Sequence, residues 1–279
     1  MADPQTPNTL RTFRWVGSDH PHLDHPYITA CGHVVIGLYG GNTRAGARKN
    51  EDGALVWCPH DGSWEFAVLL DAHYSAESAQ LVIEAVEAER EPIVRMMSGP
   101  VEQAFESVGR HLLALFRSPG FRERCRQVYG EASCLICARK GGFLWWLSIG
   151  DCVVYVLHPR LAQLGQYALN QRSFFEWVGH VNTFDLPVPC YASGVRQLLP
   201  GHSLIVMVTD GLLEFGRRPF ENPASLYHAL APGMPGDMDS LTASVHALLN
   251  RVHQERGKDS ATVIAWGYHS GPAHHDWQD

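Results

Sequence analysis

Apolar residues along the chain fall into short continuous runs, interrupted by three longer stretches with helical spacing. Residues 34–39, 53–57, 64–70, 132–138, 143–149, 152–157, 203–209 and 261–266 have the length and composition of strands. Most are continuous rather than alternating, which predicts strands covered on both faces. Arg139-Lys140-Gly141-Gly142 predicts a short hairpin between two of them, and Gly150-Asp151 a tight turn before the next. Helical spacing marks residues 75–89, where Ser75 and Glu77 suit an N-terminus and Leu81, Val82 and Ala85 face inward. Val101, Phe105, Val108, Leu112 and Leu115 form a second apolar face, and Leu241, Val245, Leu248 and Val252 a third. Strands, then long helices, then more strands, then strand–helix–strand is the order of an α+β fold with antiparallel pairing.

The chain has 279 residues, with 45% hydrophobic and 18% charged, enough for one sizeable core and too apolar for a disordered protein. Residues 31–268 are expected to form one domain, with an irregular excursion over 165–200. Residues 1–30, bearing His20, His22 and His25, and residues 269–279, bearing His274 and His275, read as a polar arm and a polar tail. A net charge of −7 without a basic segment argues against a nucleic-acid partner. No apolar run spans a membrane, and residues 1–16 lack a signal peptide's apolar segment, so a cytoplasmic, membrane-free location is expected. The seven cysteines are scattered, as in a reducing compartment. Cys134 and Cys137 form a C-x-x-C, but three residues apart on a strand they face opposite ways and share no zinc ion.

Acidic residues recur at strand ends. Asp71 closes the run 66–70, Asp210 follows 204–209, and Asp259 comes just before 261–266. If the last strand is antiparallel to the other two, these distant carboxylates share one edge, and Asp151 in its turn joins them. Any one of them alone is an ordinary strand or turn cap. Together they repel, and divalent cations relieve that repulsion. An all-oxygen donor set favours magnesium, manganese or calcium over zinc.

Asn50-Glu51-Asp52, Asp71-Ala72-His73, Ser148-Ile149-Gly150-Asp151, Thr209-Asp210-Gly211-Leu212-Leu213-Glu214 and Lys258-Asp259-Ser260-Ala261-Thr262-Val263 resemble, in order, the motifs of the metal-dependent protein phosphatase family, type 2C, in its bacterial form. The resemblance implies a four-layer αββα sandwich of two antiparallel sheets flanked by helices, with two manganese or magnesium ions at one edge. It also implies roles. Asp71 matches the carboxylate bridging the two ions, Ala72 a backbone-carbonyl ligand, and Glu51 an acid at the second ion. Asp210 and Asp259 match ligands of the first, and Asp151 the acid of a third, weaker ion. His73 matches the general acid that protonates the departing Ser or Thr oxygen after attack by a metal-bridged hydroxide.

The family's Asp-Gly-His-Gly-Gly reads Asp71-Ala72-His73-Tyr74-Ser75 here, so Tyr74 must fit a turn usually left to glycine. A phosphate-gripping arginine usually lies a few residues before Asn-Glu-Asp; Arg48 is preferred and Arg44 is the alternative. Residues 198–211 also resemble the sporulation and stress-response phosphatases of the same superfamily, and residues 165–200 correspond to the family's variable flap. The expected function is a monomeric phosphatase of phosphoserine and phosphothreonine proteins. The altered 71–75 turn motivates a second reading, a degenerate binding module, and small phosphoesters are a third.

Overall fold

The computed structural model describes residues 10–233 and 237–271. Its strands are β1 (Leu10–Val16), β2 (Tyr27–Cys31), β3 (Val34–Tyr39), β4 (Gly53–Pro59), β5 (Trp64–Ala72), β6 (Glu131–Lys140), β7 (Phe143–Ile149), β8 (Val153–Leu157), β9 (Val178–Gly179), β10 (Ala192–Gln197), β11 (Gly201–Val208) and β12 (Ala261–Ser270). Its helices are α1 (Glu77–Ala88), α2 (Arg90–Ser98), α3 (Val101–Arg117), α4 (Pro119–Gln127), α5 (Pro159–Gln163), α6 (Gly211–Glu214), α7 (Pro223–Leu230) and α8 (Met238–Gln254). No helix among the described residues is long and apolar enough to cross a membrane.

Two antiparallel sheets result. One has the order β1-β4-β5-β6-β7-β10, with β9 beside β6; the other is β2-β3-β12-β11-β8. The continuous apolar runs are explained by what lies on each side of them. In β5, Phe66, Val68 and Leu70 pack outward against α1–α4, while Ala67 and Leu69 face the second sheet. In β11, Leu204, Val206 and Val208 pack outward against α6–α8, while Ile205 and Met207 face the first sheet. Three apolar layers therefore hold four layers of secondary structure together, the αββα sandwich expected. Alternation also separates Cys134, in the helix-facing layer, from Cys137, between the sheets. All seven cysteines are free.

The ends of the chain depart from expectation. Residues 10–16 and 27–30, expected as part of a polar arm, belong to β1 and β2, an edge strand for each sheet. Both strands are only partly buried, and their mixed polar sequences carry no strong apolar run. β12 continues through Ser270, into the expected tail, whereas His274 and His275 lie outside the described residues. The excursion at 165–200 is also less irregular than expected. Its β10 pairs with β7 and its β9 with β6.

A buried ion pair closes one end of the sandwich. Glu65 and Arg139 are register partners on β5 and β6, both on the inner face. Arg139 Nε donates to Glu65 Oε2 at 2.6 Å, and His33 Nε2 lies 2.8 Å from Glu65 Oε1. The Arg139 guanidinium stacks 4.6 Å from the ring centre of Tyr268, on the opposite sheet. Removing Arg139 leaves Glu65 buried with His33 alone, and removing Glu65 leaves the Arg139 charge with only the Gly62 and Ser63 carbonyls. Glu65→Ala and Arg139→Ala are each expected to destabilise the protein by roughly 3–5 kcal/mol, read from urea unfolding midpoints. A loss under about 1 kcal/mol would place the pair in the class of weak surface salt bridges.

Candidate active site

Antiparallel pairing puts the starts of β4, β6, β8 and β12 and the ends of β3, β5, β7 and β11 at the edge opposite that ion pair. Every acid singled out above falls there. Glu51 and Asp52 precede β4, Asp71 is next to last in β5, and Asp151 follows β7. Asp210 links β11 to α6, and Asp259 stands two residues before β12. The last strand is antiparallel to β11, as anticipated. β5, however, belongs to the other sheet, so Asp71 meets Asp210 and Asp259 across the gap between the sheets rather than along one edge.

The acids are close enough to raise one another's pKa. Burial and then the charges of Asp210, Asp52, Asp259 and Asp151 push the Asp71 carboxyl well above the ordinary range. Asp210 is raised to about 6 by burial, with Asp259 and Asp151 adding to it and the neighbouring Asp71 carboxyl opposing it. Burial also raises Asp259, against the opposing effect of the Ser260 N–H, which donates to its Oδ1 at 3.0 Å. Close approach of the two strand ends sets this geometry. A Cβ on Gly211 would lie 1.8 Å from the Ser260 carbonyl oxygen, so only glycine lets Asp210 sit beside Asp259.

Asp52, present in the Asn-Glu-Asp element but given no role there, is the acid most tightly held. Fully buried, it accepts hydrogen bonds from Thr262 Oγ1 at 2.6 Å, Ser260 Oγ at 2.8 Å and Thr209 Oγ1 at 3.2 Å. Those three hydroxyls belong to the second sheet's side of the site, so Asp52 fastens the start of β4 to β11 and β12. Burial raises its pKa to about 7 despite the hydroxyls. Asp151 is anchored by Ser133, whose Oγ donates to its Oδ1 at 2.6 Å, and Ser133 is Asp71's register partner. Gly150 makes that contact possible, since its φ is +91° and a Cβ there would lie 2.3 Å from Ser133 Oγ.

His73 follows Asp71 and Ala72 at the same edge. Trp177 of the 165–200 segment packs edge-on to its ring, 4.8 Å between centres, and His73 Nδ1 is buried without a partner. Tyr74 adopts φ +69°, the left-handed conformation that glycine takes at least cost, so the Gly-to-Tyr departure falls on a strained position. Its carbonyl accepts from Lys49 Nζ at 2.6 Å, and the same Nζ lies 2.5 Å from Glu51 Oε1. A cleft of about 420 Å³ opens beside Asp259, lined by Gly46, Ala47, Arg48, Lys49, Glu51, Lys258 and Ser260. Arg48 therefore faces the acid edge, whereas Arg44 lies in the 3-10 turn Thr43–Ala45, off that lining. Arg172, which no motif marks, reaches the acids from the 165–200 segment.

Hard divalent cations fit this donor set, which is all oxygen, mutually repelling and partly buried. Asp71 Oδ2 in particular is buried with no hydrogen-bond partner. Among the described residues, no group of three or more His, Cys, Asp or Glu side chains is already set to hold a metal ion. The acids come together as a strained cluster rather than as a closed cage.

No family model and no curated protein matches the sequence. Solved structures do match in shape. A bacterial serine phosphatase is 12% identical with a TM-score of 0.54, covering 95% of this chain and 99% of that one. The Mycobacterium tuberculosis serine/threonine phosphatase PstP/Ppp is 13% identical with a TM-score of 0.51, covering 94% and 98%. RsbX in complex with magnesium is 16% identical with a TM-score of 0.52, covering 87% and 98%. The PstP catalytic domain is also known in complex with two manganese ions. At these identities the likeness is one of fold, and it extends over nearly the whole chain.

The raised carboxyls have a consequence for stability. A group whose folded pKa exceeds its unfolded value stabilises fully below the unfolded value, here 3.8, and that stability is lost as pH rises through the folded value. With Asp210 near 6 and Asp52 near 7, the metal-free protein should lose stability between about pH 5 and pH 7.5. Manganese should restore the melting temperature more at the upper pH than at the lower. This metal response separates the acids from His33, which Glu65 raises with the same sign. A chelated protein whose melting temperature stays flat or climbs over that interval contradicts the clustering.

Proposed function

We propose that the chain is a metal-dependent phosphatase of the type 2C family, cytoplasmic, acting on phosphoserine and phosphothreonine in proteins. The observation that carries this reading is the meeting of Asp71, Asp210 and Asp259 across two sheets, in a fold shared with known serine and serine/threonine phosphatases. Asp71, Asp210 and Asp259 would hold one manganese or magnesium ion, and Asp71, Glu51 and the Ala72 carbonyl the other. Bound there, the ions supply an activated water and neutralise charge on the phosphoryl group.

The chain's own residues do the rest. Arg48, Lys49 and Lys258 give one wall of the cleft a positive charge that draws a phosphate toward the acids, and the Arg48 guanidinium can grip two of its oxygens. His73, steadied by Trp177, gives its proton to the departing seryl or threonyl oxygen. Asp52 holds β4 against β11 and β12, so that Glu51 and Asp259 keep a fixed separation during turnover. Phe175, 93% exposed, and Val188, 76% exposed, present apolar surface on the flap for contact with a phosphoprotein.

A second reading, a binding module built on a phosphatase fold, draws support from the left-handed Tyr74 and from Arg172 among the acids. Turnover separates the two. With manganese, p-nitrophenyl phosphate and a phosphothreonine peptide should both be hydrolysed, and Asp71→Asn should reduce this by about 10²–10³-fold or more. His73→Ala should cost about 10²-fold on the peptide and far less on p-nitrophenyl phosphate, whose leaving group needs no proton. Folded protein that binds manganese but turns over neither substrate leaves the binding module standing. Preference for a small metabolite phosphate over the peptide would change the substrate and keep the chemistry.

A further inference from the structure

Arg172 stands where no motif places a cation. One terminal nitrogen lies 2.7 Å from Glu214 Oε1, 3.2 Å from Asp151 Oδ2 and 3.6 Å from Asp210 Oδ2. Its side chain is 17% exposed, and its Nε is buried without a partner. The backbone that carries it is fastened on both flanks. Asn170 Nδ2 donates to Ser148 Oγ and to the Cys152 carbonyl, both at 2.8 Å, and Asn170 Oδ1 accepts the Val154 N–H at 2.9 Å. On the other flank the Ser173 N–H donates to the Gly150 carbonyl at 3.0 Å. Phe174 supports the guanidinium from its face, with 4.9 Å from the ring centre to Cζ. A surface arginine is seldom held so completely. This one is delivered to the acids by the fold.

A guanidinium is permanently charged and offers five N–H donors in a rigid fork, so it can satisfy several carboxylates at once. The nitrogen that meets the acids is divided among three of them, and Arg172 does not line the Arg48 cleft. One of those three, Asp151, is the acid to which the family resemblance assigns a third, weaker ion.

We propose that Arg172 is a resident cation that stands at Asp151 in place of a divalent ion. The acid edge of this chain then takes up one ion fewer than its carboxylates would otherwise hold. A guanidinium brings no water and no open coordination position, so nothing at Asp151 delivers a nucleophile. It also bridges Asp151, beside the first sheet, to Glu214 of α6, on the second, and so ties the flap to both halves of the site. The inference rests on the metal-site reading above, but its test measures a difference between variants rather than activity.

Manganese uptake by the metal-free, full-length protein is counted by isothermal titration calorimetry, with circular dichroism as the check on folding. Arg172→Gln should bind one ion more than the unmodified protein, and adding Asp151→Asn to that variant should remove the extra ion. Asp151→Asn alone should leave the count unchanged, because its partner is the guanidinium. Equal counts for the unmodified protein and Arg172→Gln overturn the proposal, as does the loss of an ion from Asp151→Asn alone. Should Arg172→Gln fail to fold, the single Asp151→Asn comparison decides. If the unmodified protein binds no manganese while Arg172→Gln gains one ion, the resident cation is supported and the proposed catalytic function is not.

Discussion

Negative charge concentrated at one edge of the sandwich is the constraint on which the site depends. Five aspartates gather at strand ends of two different sheets, and burial with the charge of neighbouring acids raises Asp71, Asp210 and Asp52. Such an arrangement is unfavourable unless positive charge or hydrogen-bond donors answer it. The structure answers it in distinct ways. Asp52 is satisfied by three hydroxyls, Asp151 by Ser133 and Arg172, and Asp259 by a backbone N–H. Asp210 has Arg172 only at the longer distance of 3.6 Å, and one oxygen of Asp71 has no partner. The unanswered charge is thus localised on the pair that straddles the gap between the sheets.

The rest of the fold makes that localisation possible. Three apolar layers clamp the two sheets so that their strand ends stay in register, and the Glu65–Arg139 pair closes the far end with its charges satisfied. Polar groups buried at both ends of a sandwich, with only apolar contacts between, leave little freedom for one sheet to slide over the other. Asp52 adds a direct tie at the acid edge, since its carboxylate hangs from one sheet and its donors from the other.

The segment over 165–200 contributes more than a surface. It supplies Trp177 to the ring of His73, Arg172 to the acids and Asn170 to the turn that carries Asp151. Ordered flap and acid edge are therefore one construction, and a change in either reaches the other. Tyr74 belongs to the same neighbourhood. Its left-handed backbone is held by the Lys49 contact and by the ring of Tyr129 at 5.9 Å, in place of the freedom that a glycine would bring.

Apolar runs, helical spacings and turn dipeptides in the sequence sufficed for the central strands, the helices α1, α3 and α8 and the antiparallel class, because strands buried on both faces and amphipathic helices leave patterns that are local. The acids were legible for the same reason: Asp71, Asp210 and Asp259 stand at the boundaries of those runs. Strands β1, β2 and β10 were not, since a strand largely exposed to water has no continuous apolar signature. That Asp71 sits on a different sheet from Asp210, that Asp52 is the tie between sheets, that Arg48 rather than Arg44 faces the cleft and that Arg172 enters the acid cluster were decided only by tertiary structure. Each of these depends on which distant segments approach in space, and the energy of a charge depends on its neighbours across that space, which no local pattern of residues encodes.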